Sequence, residues 1–467
     1  MTGAALLIDF GSTFTKLRAV DLDAAAVIGS GQGPSTVATD VTEGLEKALA
    51  DLERRIGKLP DFKHRLACSS AAGGLGMVTV GLVPELTAEA ARRAALGAGA
   101  KLTGTFAYRL TAKDADAIAG LRPDIILLAG GTDGGNRDVM VENARRLAAG
   151  PHVCPVVVAG NREAADEAAA AFAAAGKPVT VAENVMPEFG KLNVEPARAA
   201  IRQVFIDRIV HAKGIDRAAG MFDAVLMPTP AAVLEGARLL AEGTDGRPGM
   251  GPLVVVDVGG ATTDVHSIAA GEPTREGVVP HGLPEPYAKR TVEGDLGIRI
   301  NAGAIADAVG MGGLAAAAGL DHGRARALLD RIAGNVERLP ESDDERRLDR
   351  ALAEAALKLG MARHAGAVTI VQTVTGPVSM QTGKDLSDVG TLIGTGGVLA
   401  HGDGGGAMLA CCLADPQEPQ SLRPKAPRLY IDSDYLLYAC GLLAEKQPAA
   451  ALTLGLKHMH PVGNAAP

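Results

Sequence analysis

Short runs of aliphatic and β-branched residues alternate along the chain with longer, alanine-rich segments carrying polar residues at helical spacing. The clearest runs are LLIDF (6–10), DIILLAGG (124–131), CPVVVAG (154–160), KPVTVAEN (177–184), GPLVVVDVGG (251–260) and AVTIVQTV (367–374). They are apolar at consecutive positions, the pattern of strands covered on both faces. The segments between them read as helices with recognisable ends. Asn161 follows VVVAG as an N-cap, the helix runs through REAADEAAAAFAAA, and Gly176 and Pro178 stop it. EGLEKALADLERRI runs to Gly57 in the same way. Strands alternating with helices predict an α/β protein with mainly parallel sheets.

The pattern also suggests an organisation. Residues from about 121 to 195 make a self-sufficient α/β unit of three strands and two helices, read as an insertion in a larger fold. The expected domains are 1–120, an insert at 121–215, a second half at 216–445 and a tail at 446–467. GMFDAVLMPTPAAVLEGARLLAEG reads as a helical crossover into the second half, and 324–365 as two charged amphipathic helices around Pro340. The closing KHMHPVGNAAP reads as frayed.

Composition narrows the function. The 467 residues suggest about three domains of ~150 residues. A net charge of -8 argues against a nucleic-acid binder. Tryptophan is absent and aromatics are 3%, which argues against base- or sugar-stacking platforms. The five cysteines (Cys68, Cys154, Cys411, Cys412 and Cys440) form no C-x-x-C pair, so a reducing, cytoplasmic setting is expected. The adjacent Cys411 and Cys412 read as apolar packing, with a redox or cluster ligand as the alternative. The N-terminus has no cationic region typical of a leader, and no apolar stretch approaches ~18 residues, so no membrane partner is expected.

The chemistry lies where glycines end the apolar runs. In LLIDFGSTFTK a strand carries Asp9 out at its end, Gly11 permits a sharp turn, and the backbone N–H groups of Ser12 and Thr13 can form an anion-binding nest. Lys16 adds a point charge for phosphate. An acid beside phosphate makes sense when a divalent cation lies between them, and magnesium is commonly held by carboxylates and substrate phosphates. VVVDVGGATTDVHS repeats the arrangement with Asp257, Gly259, Gly260, Thr262, Thr263 and Asp264. LIGTGGVLAH places Gly394, Thr395, Gly396 and Gly397 after a strand, where a purine can lie against the backbone. Each motif alone also fits an ordinary strand-to-turn junction.

Together, in this order, the three resemble the two phosphate hairpins and adenosine loop of the superfold of actin, DnaK-type chaperones and sugar kinases. IDFGSTFTKL, ILLAGGTDGGN, VVDVGGATTDVHS, KRTVEGDLGIR and LIGTGGVLAH narrow the resemblance to the MutL/GlmL family of accessory proteins for glutamate mutase and related adenosylcobalamin enzymes. The resemblance implies an actin-like ATPase fold: two related ribonuclease-H-like domains around a nucleotide cleft, with an inserted three-layer α/β unit. It implies ATP and Mg2+ as cofactors, mutase subunits as partners and weak ATPase activity, and a homodimer enters as a candidate assembly. By residue, it implies that Asp9, Asp257 and Asp264 serve the metal, and that Asp257 and Thr262 are catalytic. Gly11, Ser12, Thr13, Lys16, Gly259, Gly260, Thr263, Gly394, Thr395, Gly396 and Gly397 would bind nucleotide. Ala261 departs from the DnaK-type hairpin, which has glycine there; its methyl group would slow turnover.

Some stretches stay open. TDGGN (132–136) fits a second ligand site or a tight turn capped by Asp138. In VEGDLGIR, Asp295 fits a cleft wall, and Arg299 fits a phosphate ligand or a bridge to an acid. His458 and His460 show no metal spacing. Competing functions are a small-molecule kinase, which needs a general base such as Asp257 beside a substrate hydroxyl, a nucleotide-gated scaffold, and an iron–sulfur activator using Cys411 and Cys412.

Overall fold

In the computed structural model, which describes residues 3–11, 14–36, 40–70, 75–212, 221–374, 376–402 and 404–464, the run Ala4–Phe10 forms β1 and is buried at every position. That is why it is apolar throughout. The chain divides into two units.

The first unit comprises Met1–Gly236, Gly282–Pro286 and Tyr438–Leu454. Its first sheet holds β1, β2 (Phe14–Asp21), β3 (Ala26–Pro34), β4 (Phe62–Ser69) and β10 (Ala224–Pro228), in the order β10-β4-β1-β2-β3. β1, β2 and β3 run antiparallel in sequence, and β4 and β10 lie parallel to β1. β3 reads GSGQG, with glycine at alternate positions. A Cβ on Gly31 would lie 2.4 Å from Ala48 O, and one on Gly33 2.6 Å from Gly44 O. The glycines therefore let the helix Val41–Ile56, capped by Asp40, rest directly on the strand.

The unit's second sheet is wholly parallel. It holds β5 (Leu75–Val80), β6 (Ala100–Phe106), β7 (Ile125–Leu128), β8 (Val156–Val158) and β9 (Val179–Val181), ordered β6-β5-β7-β8-β9. This corrects the expected boundary at 121. Two of the five strands come from 75–106, where LGMVTV and AKLTGTF are diluted by glycine, threonine and lysine. Asn161 caps the helix Arg162–Ala174 as expected, accepting from Glu163 N. Pro228 and the residues before it form a strand rather than part of the expected helical crossover.

The second unit comprises Ala237–His281, Tyr287–Leu437 and Gly455–Pro467. It opens with a short ribbon, β11 (Gly243–Thr244) and β12 (Arg247–Pro248). Its main sheet contains β13 (Leu253–Val258), β14 (Thr263–Ile268), β16 (Ala288–Glu293), β19 (Thr391–Thr395), β20 (Arg428–Ile431) and β21 (His460–Asn464), ordered β16-β14-β13-β19-β20-β21. The first three strands are antiparallel and the next two run parallel to β13. This repeats the order and sense of the first unit's first sheet, with β21 added at the edge. The duplicated sheet, with strands ordered third-second-first-fourth-fifth, is the ribonuclease-H-like repeat of the actin-like ATPase fold. The helix Asp343–His364 starts in a Ser342–Glu345 capping box and buries Leu348, Leu352, Ala356 and Leu357.

Two further expectations are corrected. β17 (Ala367–Thr373) is a strand, but it lies outside the main sheet: it pairs with β18 (Gly376–Thr382), which in turn pairs with β15 (Val278–His281), its first residue also bridges to Ser421, and most of its residues are exposed. The expected tail is ordered through residue 464. The helix Pro448–His458 buries Ala451, Leu452 and Leu454, and β21 pairs with β20.

Two buried imidazoles stabilise the second unit conditionally. Burial, with Arg290 nearby, pushes His266 down to about 3. Burial, with Lys289 and Lys384, holds His364 well below its usual range. His364 Nδ1 meets Thr291 Oγ1 and Nε2 meets Ser267 Oγ, both at 2.8 Å. In the unfolded chain both imidazoles take up protons near pH 6.5; in the fold they do not. Each histidine therefore contributes stability that is present above pH 6.5 and is lost as pH falls below it, for His266 down to about 3. Denaturant midpoints at pH 7.5 and 5 test this. His266→Gln should flatten the dependence, whereas identical slopes for the variant and the natural chain would contradict it.

Candidate functional site

Each main sheet carries an acid near the end of its first strand. In the first unit Asp9 is the penultimate residue of β1 and is 8% exposed. The β1–β2 turn is closed by Gly11 N–H donating to Phe14 O at 3.0 Å, and a Cβ on Gly11 would sit 2.6 Å from that oxygen. Ser12 and Thr13 lie outside the described residues. Asp9 is the register partner of Lys16 across the antiparallel pair, so the acid and the amine share one face.

Asp9 has a partner that sequence reading missed. Thr229, at the start of the helix Thr229–Glu242, donates from Oγ1 to Asp9 Oδ1 at 2.6 Å. The available signal was Thr-Pro directly after an apolar run, a helix-start pattern. Cys68, Asp9's register partner in β4, lies 3.7 Å from the same oxygen. Burial pushes the Asp9 carboxyl above its usual range, while Lys16 and Thr229 pull it back. Burial and the Asp9 charge together push the Cys68 thiol well up, so it is no nucleophile.

The second unit repeats this construction. Asp257 is the penultimate residue of β13, and the turn is closed by Gly259 N–H donating to Thr262 O at 2.9 Å. Asp257's register partner is Asp264, which occupies the position of Lys16. Thr262 Oγ1 donates to Asp264 Oδ2 at 3.0 Å, and Arg290 Nε donates to Asp264 Oδ1 at 2.8 Å. Thr395, buried at the end of β19, is Asp257's register partner on the parallel side, and Gly396 follows at φ +102°. A Cβ on Gly396 would lie 2.3 Å from Val258 O and 3.0 Å from Asp257 Oδ1, so the loop glycine and the acid are in close approach.

Not every candidate joins this group. Thr263 is fully buried and donates to Leu296 O at 2.8 Å, on the opposite face of β14 from Asp264. Gly394 is packed among Leu399, Leu409 and Ile431. Gly260 is exposed at the turn, and Gly397 lies near the Tyr435 hydroxyl. Among the described residues no three His, Cys, Asp or Glu side chains form a metal cage.

VEGDLGIR braces the second turn. Ile298 N–H donates to Gly259 O, and Arg299 and Ile300 N–H both donate to Gly260 O. Asn301 Nδ2 donates to Ala261 O and Gly294 O, both at 2.8 Å. Arg299 makes a bidentate pair with Asp349, the acid-bridging alternative. Asp295 pairs with Arg363, which draws its carboxyl below the usual range.

The TDGGN loop is tied inward. Asn184 Nδ2 donates to Gly131 O and Asp133 Oδ1, and Asn161 Nδ2 to Gly135 O. Asp138 is not the cap expected of it but the first residue of the following helix, whose N-cap position is Arg137; Asn136 Oδ1 accepts from Val139 N. Cys412 is buried in the second unit's core, the packing alternative for that residue.

Thr229→Val removes the donor facing a buried carboxylate. A loss of about 1.5–3 kcal/mol is expected at pH 8, shrinking at acid pH as Asp9 protonates and a charged hydrogen bond becomes a neutral one. Urea titrations at both pH values check it, and a pH-independent loss would contradict it. Gly297→Ala would place a methyl group 2.2 Å from the Ala261 carbonyl carbon. A loss of about 1–3 kcal/mol is expected, with increased amide exchange at Gly259–Thr262; unchanged exchange there would contradict the bracing role.

The family described as "MutL protein" matches residues 5–459. A curated Protein MutL from Clostridium tetanomorphum is 47% identical over 457 residues, covering 98% of this chain and 99% of that one. Among solved structures, a xylulose kinase from Bifidobacterium adolescentis aligns over 100% of this chain and 96% of its own, at 12% identity and TM-score 0.34. A ROK hexokinase from Thermus thermophilus aligns over 97% and 99%, at 13% identity and TM-score 0.24. Both scores are low, and the fold assignment rests on the duplicated sheet order. The match across nearly the whole length, at close to half identity, places this chain in the MutL protein family.

Proposed function

We propose that this chain is an ATP-binding, chaperone-like factor that reactivates an adenosylcobalamin-dependent mutase, with glutamate mutase as the expected partner. The observation that carries the nucleotide reading is the duplicated hairpin. Asp9 with Lys16 and Asp257 with Asp264 occupy equivalent register positions behind equivalent glycine turns. The mutase reading comes from the family resemblance.

The residues fit a magnesium–nucleotide complex. Gly11, Gly259 and Gly396 stand where a Cβ would clash with nearby backbone oxygens (Phe14 O, Thr262 O and Val258 O), so only glycine permits these close turns beside the acids. Magnesium is held through one or two carboxylates plus phosphate, and Asp9, Asp257 and Asp264 are the carboxylates assigned to it. Lys16 would bind phosphate, together with Ser12, Thr13 and the Gly259–Gly260 backbone. Gly396 and Gly397 would flank the base. Asp257 would orient a water at its carboxylate, and Thr262 holds Asp264 in place. Bound ATP supplies a triphosphate whose hydrolysis separates two states of the protein, and a partner with different affinity for those states is driven between them. That exchange would loosen the mutase and let damaged cobalamin leave.

Mutase inactivated by damaged cobalamin, mixed with this protein, Mg·ATP and fresh coenzyme, should regain activity. Asp257→Ala should abolish the recovery while the chain stays folded. No recovery with any nucleotide would overturn the proposal.

A further inference from the structure

From Thr369 onward, β17 is an open sheet edge among the described residues. Ile370 is 70% exposed and Val371 40%, and as consecutive strand residues they lie on opposite faces. Val374 beside them is fully exposed, and Val279 of β15 is half exposed. Only the first turn of the edge is covered: Val368 N–H donates outward to Gln420 O and Leu422 N–H donates to Gly366 O, both at 2.9 Å. Backbone alternation then turns the N–H and C=O groups of Ile370 and Gln372 outward as well. Among the described residues no strand pairs with them.

Sheet edges are ordinarily blunted by lysine, proline, a bulge or short length. This edge has seven residues, contains neither lysine nor proline, and pairs with β18 without a register shift. From Ala365 to Gly383 no residue is ionisable.

We infer that β17 pairs antiparallel with β17 of a second copy of this chain across a two-fold axis. Two features favour a second copy. The stretch from Ala365 to Gly383 carries no ionisable residue, so two copies of a chain with net charge -8 can meet there without setting like charges against each other. The edge is also self-complementary. Centring the axis on Val371 sets Ile370 opposite Gln372 of the second copy, and Gln372 opposite its Ile370. All four residues turn their backbone groups to the partner, giving four hydrogen bonds. Val371 then faces its own counterpart in a non-hydrogen-bonded position, with Cα atoms about 4.5 Å apart. A two-fold pairing closes, whereas head-to-tail pairing of such an edge propagates into fibres. The inference is independent of the nucleotide reading.

Sedimentation equilibrium of the full chain, without nucleotide, tests it at tens of micromolar, where micromolar association is visible. Two-chain particles are expected. Ile370→Lys, at an exposed position, should leave the circular dichroism and melting unchanged and weaken the association at least ~10-fold by setting like charges near the axis. Val371→Cys should form an interchain disulfide on oxidation, since the expected Cα spacing suits one, whereas the natural cysteines should not. Single chains throughout, particles of two chains that survive Ile370→Lys, or dimers of Val371→Cys that do not cross-link would each overturn the inference, including the case in which the edge instead takes a strand from another protein. Mg·ATP binding to the same samples reports separately on the nucleotide site.

Discussion

A carboxylate buried at the end of a central strand is the constraint around which this protein is built. Burial opposes the charge on Asp9, and a lone buried carboxylate would simply take up a proton. The fold compensates with Lys16 opposite it and Thr229 donating to it at 2.6 Å, yet the carboxyl stays above its usual range. An acid kept in this condition gains most from a cation. The same strand position in the second unit holds Asp257, with Asp264 opposite and Arg290 bound to Asp264.

The two hairpins are one design put to different ends. The turn glycine, its hydrogen bond and the register of the following strand are shared. The residue opposite the acid is basic in one and acidic in the other, and the parallel neighbour is Cys68 in one and Thr395 in the other. Divergence on a common backbone gives the two turns different chemistry, an amine beside one acid and a second carboxylate beside the other. The second turn is also braced from outside by the 294–301 loop, whose carbonyl and amide partners hold Gly259, Gly260 and Ala261.

The apolar runs revealed β1, β7, β8 and β13 because these strands are covered on both faces. They missed β5 and β6, whose apolar residues are interrupted by glycine, threonine and lysine, and so misplaced the insert's start. AVTIVQTV was read correctly as a strand and wrongly as a buried one: consecutive apolar residues mark a strand but do not say what covers it. The acids and glycines of the site were evident because the Asp-x-Gly pattern recurs. Thr229 was not, because its role depends on β10 lying beside β4, a long-range pairing that no local pattern encodes. Thr263 looked like a phosphate ligand beside Thr262, but strand alternation sends it to the core.

If the two hairpins serve a nucleotide as proposed, Asp9 and Asp257 each contribute to Mg·ATP binding. Titration calorimetry of Mg·ATP into the natural chain, Asp9→Asn and Asp257→Asn tests it most directly. The account predicts magnesium-dependent binding that each substitution alone weakens by at least ~10-fold, or about 1.4 kcal/mol. Undiminished binding to either variant, or no binding to the natural chain, would contradict it.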